Sequence, residues 1–232
     1  MGRYTNSYGQ FLERLDEVHI LRKSAARKER ENAIHHGKEI RALCRASVVL
    51  LSSHVEAFIK ELGEIALEAF FDKKISRSTV SSAIFYHISK DLIADIAASS
   101  EPKKVAEKMF EFLDLDLVFW SKEGPFPDQI PSDRFNKGFA SPAFSKVVKY
   151  FGRFGYGDFK SDFQKKLSSN SQLAINALDH MVAVRNNIAH GDESATKTPS
   201  EVEIMIKIVS LFCRSTDDVF SGWCRKNHCS IR

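Results

Sequence analysis

Arg185-Asn186-Asn187-Ile188-Ala189-His190, followed at once by Gly191, is the stretch on which the reading of this chain turns. It reads Arg-Asn-x3-His at the end of a predicted helix. The run from Asn170 to Ala189 carries apolar residues at Ala174, Leu178, Met181 and Ile188, the stripe of an amphipathic helix. Asn170 or Ser171 is the expected N-cap, and Gly191 supplies the left-handed residue that ends the helix. A permanent cation, an amide and an imidazole therefore fall within about 8 Å along one helix axis, where the helix meets solvent. Arg185 lands on the apolar stripe between Met181 and Ile188, and a charge there is costly unless it is paired or faces a partner. Asn186 and His190 are four apart and share a face, whereas Arg185 and His190 diverge by roughly 140° on a regular helix. Convergence on one substrate needs a distorted last turn or a second subunit. Spacing alone also admits a plain helix end, with His190 at the pole of the macrodipole that favours it.

The 232 residues suffice for one large domain or two small ones, and 43% hydrophobic content permits a sizeable core. The net charge of +4 and pI near 8.8 permit nucleic-acid binding without demanding it. No run of 18 apolar residues marks a membrane span. The start, Met1 to Asn6, lacks a signal-peptide core, and Asn6 stands where myristoylation needs Ser or Thr, so the expected location is cytoplasmic. Four cysteines, Cys44, Cys213, Cys224 and Cys229, are too few for a disulfide scaffold. Cys224, His228 and Cys229 lie close together but lack zinc-knuckle spacing and an obvious fourth ligand, so scattered reduced thiols are expected.

Helical patterns dominate the rest. Ser7–Leu21 is one amphipathic segment, and Ser24 to about Phe71 is a very long one in which Gly37 is a candidate break. The charged run Arg27–Glu31 reads as a solvated face. Ser78–Ala98 is a further helix, and Pro102 opens another to about Leu113. Four of the six prolines then fall between Trp120 and Pro142, a long loop or small insertion (about 120–142) of the kind that is often functional or mobile. Phe144–Phe151 and Phe159–Leu167 are short helices around a Gly152–Gly157 turn. Ser200-Glu201-Val202-Glu203 reads as a capping box that starts the last helix. The fold class is all-α, a bundle in one domain over 1–232 with an irregular insertion.

Val184-Arg185-Asn186-Asn187-Ile188-Ala189-His190-Gly191 resembles the RNxxxH signature of HEPN domains. The setting agrees: a helix runs into the motif, a short polar loop follows, and a capped helix closes the bundle. Earlier, Ser53-His54-Val55-Glu56-Ala57-Phe58-Ile59-Lys60 carries an ExxxK spacing similar to the acidic helix of several HEPN groups. The pattern resembles the RiboL-PSP-HEPN and related prokaryotic branches, found in toxin–antitoxin and antiviral (phage-defence) loci. Its main part covers about Asn170 to Phe220, with the Glu56 region in support. The resemblance implies a bundle of four to five core helices, a homodimer joining two motifs in one cleft, and metal-independent cleavage of RNA without a cofactor. It assigns catalysis to Arg185, His190 and Asn186, and a supporting place to Glu56 and Lys60.

The residue types suit that chemistry. Histidine titrates near neutrality and can take the proton of a ribose 2′-hydroxyl, and a fixed guanidinium stabilises charge growing on phosphoryl oxygens. The competing reading is a non-catalytic HEPN-like module that binds a nucleotide or a partner protein, an antitoxin or other regulator included. Glu56 and Lys60 also read as an ordinary surface pair worth about 0.3–0.5 kcal/mol, unless Glu56 faces Arg185. His54 reads as a core histidine, His35-His36 and Asp179-His180 as surface, and Phe151–Gly157 as a packed aromatic turn rather than a base-stacking platform. Phosphate-loop, dinucleotide, nucleophile-elbow and zincin motifs are absent.

Overall fold

Apolar residues three and four apart generate helices along most of the chain, and buried side chains then decide which helices meet. The computed structural model describes residues 4–231. Among them are nine α-helices: α1 (Asn6–Asn32), α2 (Gly37–Asp72), α3 (Ser82–Ala98), α4 (Pro102–Leu115), α5 (Ser132–Asn136), α6 (Phe144–Gly152), α7 (Phe159–Leu167), α8 (Ser171–Ala189) and α9 (Pro199–Asn227). The only sheet-like pairing among these residues is one isolated bridge between Ser76 and Pro125. The all-α expectation holds. The reading of Gly2 and the first residues of the N-terminus falls partly on 1–3, outside the described residues.

Four long helices, α1, α2, α8 and α9, form the frame, with α2 in contact with the other three. α1 and α2 run antiparallel. Phe11 meets Phe58, their ring centroids 5.5 Å apart, and Arg14 grips Glu61 with both guanidinium nitrogens at 2.5 and 2.6 Å. α9 is tied to α1 at both ends, through Arg22–Glu203 at 2.5 Å and through the buried Asp217, which accepts from Thr5 N–H at 3.2 Å. One window of α2 is long and apolar enough by composition to cross a membrane, but half of it is buried in the bundle, as in a core helix.

Several boundaries differ from the sequence reading, each for a local reason. The first break does not fall at residues 22–23. Nothing there stops a helix, and Ala25 continues the buried stripe of Phe11, Leu15 and Val18. The break comes at Ala33–His36, where Asn32 Oδ1 accepts from His35 N–H at 3.0 Å, and Gly37 then opens α2. α3 starts at Ser82 behind the Ser81 cap, not at Ser78, because residues 77–79 form a short 3-10 turn. The capping box of α9 is Thr198 with Glu201, not Ser200 with Glu203, and Pro199 takes the first helical position.

The Pro-rich segment 120–142 is irregular over most of its length, as expected, yet it is packed. It contains a helical turn, α5, and it buries Phe126, Ile130, Phe135 and Phe139. Asn136 anchors it: its amide donates to Glu64 at 2.7 Å and its carbonyl accepts from Tyr150 Oη at 2.6 Å. Tyr150 in turn lies against the backbone of α2 at Gly63, where an added Cβ would stand 2.0 Å from the hydroxyl. A Gly→Ala change inside a helix ordinarily gains about 0.8–1.0 kcal/mol. Here overpacking opposes it at about 1–3 kcal/mol, because Tyr150 is fully buried among Phe135, Phe139, Phe151 and Phe154. Gly63→Ala should therefore lower the urea midpoint, and Tyr150→Phe in the same chain should recover part of the loss.

Candidate functional site

The end of α8 is regular. His190 N–H donates to Asn186 O at 2.9 Å, the ordinary helical bond. Gly191 then takes φ +84°, which lets its N–H reach Ile188 O at 3.1 Å and Asp192 N–H reach Asn187 O at 3.0 Å. This is the paired closure that a left-handed glycine permits. His190 is the C-cap residue, with a fixed backbone and a solvent-exposed side chain. The start of the helix is less regular than the sequence implied. A 3-10 turn, Ser168–Asn170, leads into it, and Asn170 makes no side-chain capping bond.

Arg185 lies half-buried and turns toward α2. Its Nη2 is 3.8 Å from Glu56 Oε2, and its Nη1 donates to Asn186 Oδ1 at 3.2 Å. The condition attached to Glu56, that it face Arg185, is thus met in the geometry. The i,i+4 bridge is present as well, with Lys60 Nζ 2.7 Å from Glu56 Oε1. A third donor comes from the end of the Pro-rich segment: Ser141 N–H bonds Glu56 Oε2 at 2.9 Å. Burial pushes the Glu56 carboxyl upward, but the Lys60 and Ser141 bonds and the charges of Lys60 and Arg185 outweigh it and hold the group below its ordinary value of 4.5. Asn186 engages Arg185 through its side chain, and its bond to His190 joins backbone atoms only.

α8 lies antiparallel to α2, and a second tie holds the chain just past its C-terminus. Arg45 Nη1 donates to Asp192 O at 2.6 Å and to Ala195 O at 3.2 Å, so α2 holds the loop that follows His190. Asp179, on α8, accepts from Phe144 N–H at 2.8 Å and caps α6 from outside. The sequence reads Asp179 only as a surface residue and does not single out Ser141 or Arg45. All three pair with groups of distant segments through at least one backbone atom, for which sequence spacing gives no signal.

The remaining candidates take structural places. His54 is buried, 3.2 Å from Glu17, and burial lowers its pKa. Phe151, Phe154, Tyr156 and Phe159 are buried in a packed turn, with the Arg153 guanidinium over the Tyr150 ring. All four cysteines are free thiols. His228 packs against Phe70 and Trp223. Among the described residues no group of three or more His, Cys, Asp or Glu is placed to hold a metal ion.

A helical bundle in which a capped α8 carries Arg-Asn-x3-His against an acidic α2 is the arrangement the motif implied. The family model described as RiboL-PSP-HEPN matches residues 11–222. The chain belongs to this HEPN family. The match runs well beyond the Asn170–Phe220 stretch, from within α1 to within α9, and includes the Pro-rich segment. No curated protein and no solved structure matches the chain. Domains of this family are all-α, and membership suggests a ribonuclease or nucleotide-binding role.

The Glu56 carboxylate generates a test by pH. Because its folded pKa lies below the ordinary value, its stabilising contribution is complete above that value and is lost as pH falls through the folded pKa. Glu56→Gln should be less stable than wild type near neutrality. The gap should narrow below about pH 4.5 and close once the carboxyl is protonated in both states, as read by urea denaturation across pH.

Proposed function

We propose that this HEPN protein is an endoribonuclease that cleaves RNA without a metal ion, and that it serves as a toxin or phage-defence effector. The carrying observation is the division of labour on one rigid helix end. His190 stands exposed at the cap, while Arg185 is held by Glu56 and Asn186. In this reading His190 takes the proton from the ribose 2′-hydroxyl as the 2′-oxygen bonds to phosphorus. Arg185 stabilises the charge that grows on the phosphoryl oxygens. The bond to the 5′-oxygen breaks, and that oxygen leaves protonated, giving a 2′,3′-cyclic phosphate and a 5′-hydroxyl. Asn186, Glu56 and Lys60 position the guanidinium. Glu56 is a poor ligand for a divalent cation, because Lys60, Ser141 and Arg185 already face its two oxygens.

The regular last turn supports a homodimer. With distortion excluded, Arg185 and His190 of one chain diverge, and a two-fold axis beside the motif would bring each beside its mate. One observation favours the second reading, a nucleotide- or protein-binding module: Arg185 already has a counter-charge within its own chain.

A cleavage assay separates the readings. Wild type should cut RNA in EDTA and spare the same RNA with a 2′-deoxy residue at the cut site. His190→Ala should fold normally and lose about 10²–10⁴-fold in rate. Equal cutting by both proteins, or cutting of the 2′-deoxy substrate, overturns the mechanism. A mixing experiment tests the shared site. Arg185→Ala and His190→Ala chains, each inactive alone, should on co-refolding recover activity toward about a quarter of wild type, since one composite site in four is then intact. No recovery from a verified heterodimer places the whole site in one chain.

A further inference from the structure

We propose that Lys38, Arg41 and Arg45 form a phosphate-binding tract on α2 that carries the RNA backbone toward the motif. The inference rests on the ribonuclease reading and names how its substrate is held. The three residues are spaced three and four apart, so they share one helix face. Eleven residues on, at about 20° from Arg45 and about 16 Å along the axis, the same face presents Glu56, the partner of Arg185. With Ala42 and Glu193 they line an open cavity of about 370 Å³. Glu193 belongs to the loop that starts at His190, and Arg45 fixes that loop through the carbonyls of Asp192 and Ala195. Tract and motif are therefore parts of one rigid surface.

The charge balance marks the tract out. Basic residues nearby are matched by acids: Lys28 with Glu39 at 3.0 Å, Arg27 with Glu31 at 3.7 Å, and Arg22 with Glu203 at 2.5 Å. Lys38 and Arg41 are exposed, and among the described residues no acid forms an ion pair with them or with Arg45. The Asp192 carboxylate feels the charge of Arg45 but is turned to Ser194, whose N–H and hydroxyl it accepts at 2.8 and 2.6 Å. Both bonds of Arg45 use Nη1, so its remaining donors stay open to a ligand. Three cations against the carboxylate of Glu193 in the lining and that of Asp192 near Arg45 leave a positive excess that attracts phosphates, and guanidinium forks suit their geometry. Such contacts fix the strand in register without reading its sequence.

The test measures binding in the His190→Ala chain, so that the RNA stays intact, by anisotropy of a labelled single-stranded RNA across a salt series. Lys38→Glu with Arg41→Glu should weaken binding on the order of tenfold and reduce the slope of log affinity against log salt by about 1.4, two contacts at ~0.7 each. Lys103→Glu with Lys104→Glu, on α4, makes the same change in net charge away from the motif and should shift affinity less than about twofold. Thermal midpoints verify that both variants fold. In the chain that retains His190, the tract reversal should raise KM and leave kcat near its original value.

Equal weakening by the two pairs, or an unchanged salt slope in the tract pair, overturns the tract even if wild type cleaves RNA. Tract-dependent binding by a protein that never cleaves RNA upholds the tract and removes the ribonuclease reading. Absence of RNA binding in the His190→Ala chain overturns the tract outright.

Discussion

An arginine on the buried stripe of a helix is tolerable only if something answers its charge, and in this chain that is Glu56. The carboxylate sits on α2, the helix that touches every other member of the frame. It gathers Lys60 from its own helix, the Ser141 N–H from the end of the Pro-rich segment and Arg185 from α8. Removing it would leave a guanidinium half-withdrawn from water with no counter-ion, a costly state for a charge in a partly apolar setting. The rotation of α8 against α2, and the seating of the segment near Ser141, are both compatible with satisfying this one group.

A single tie would still allow α8 to pivot. The second comes from Arg45, which holds the carbonyls just past His190, while the left-handed Gly191 closes the helix between the two ties. His190 thus lies on a segment clamped on both sides, with Arg185–Glu56 before it and Asp192–Arg45 after it. Side chains that must meet a reacting group within a fraction of an ångström need such backing from their neighbours. The exposed imidazole has it through its backbone, the half-buried guanidinium through its side chain.

What can be read from the sequence is what repeats locally. The stripe of Ala174, Leu178, Met181 and Ile188, the glycine after His190 and the antipathy of Arg185 to its own stripe are all legible, and each survives in the structure. The Pro-rich segment reads as an irregular insertion because its four prolines outweigh its apolar residues, which follow no helical or strand period. Phe126, Ile130, Phe135 and Phe139 are nevertheless buried, and the bonds that hold them, Asn136 to Glu64 and to Tyr150, join residues far apart in sequence. The Glu56–Arg185 contact is legible only as a condition, since helix periodicity places each residue on a face but does not say which faces meet. Arg45 is invisible for a stricter reason: it binds backbone carbonyls, which every residue possesses.

The ionisation of Glu56 also bears on how the motif would work. Its carboxyl is held below the ordinary carboxylate value, well under the near-neutral range in which a histidine serves as general base. Across that range Glu56 keeps its charge, so the field at Arg185 stays constant while an imidazole gains or loses its proton. A site in which the carboxylate titrated alongside the histidine would couple two protonations, and neither could be assigned to one group. On the ribonuclease reading the two tasks are separated by position: α2 fixes the charge beside Arg185, and the exposed cap of α8 carries the imidazole that would move the proton.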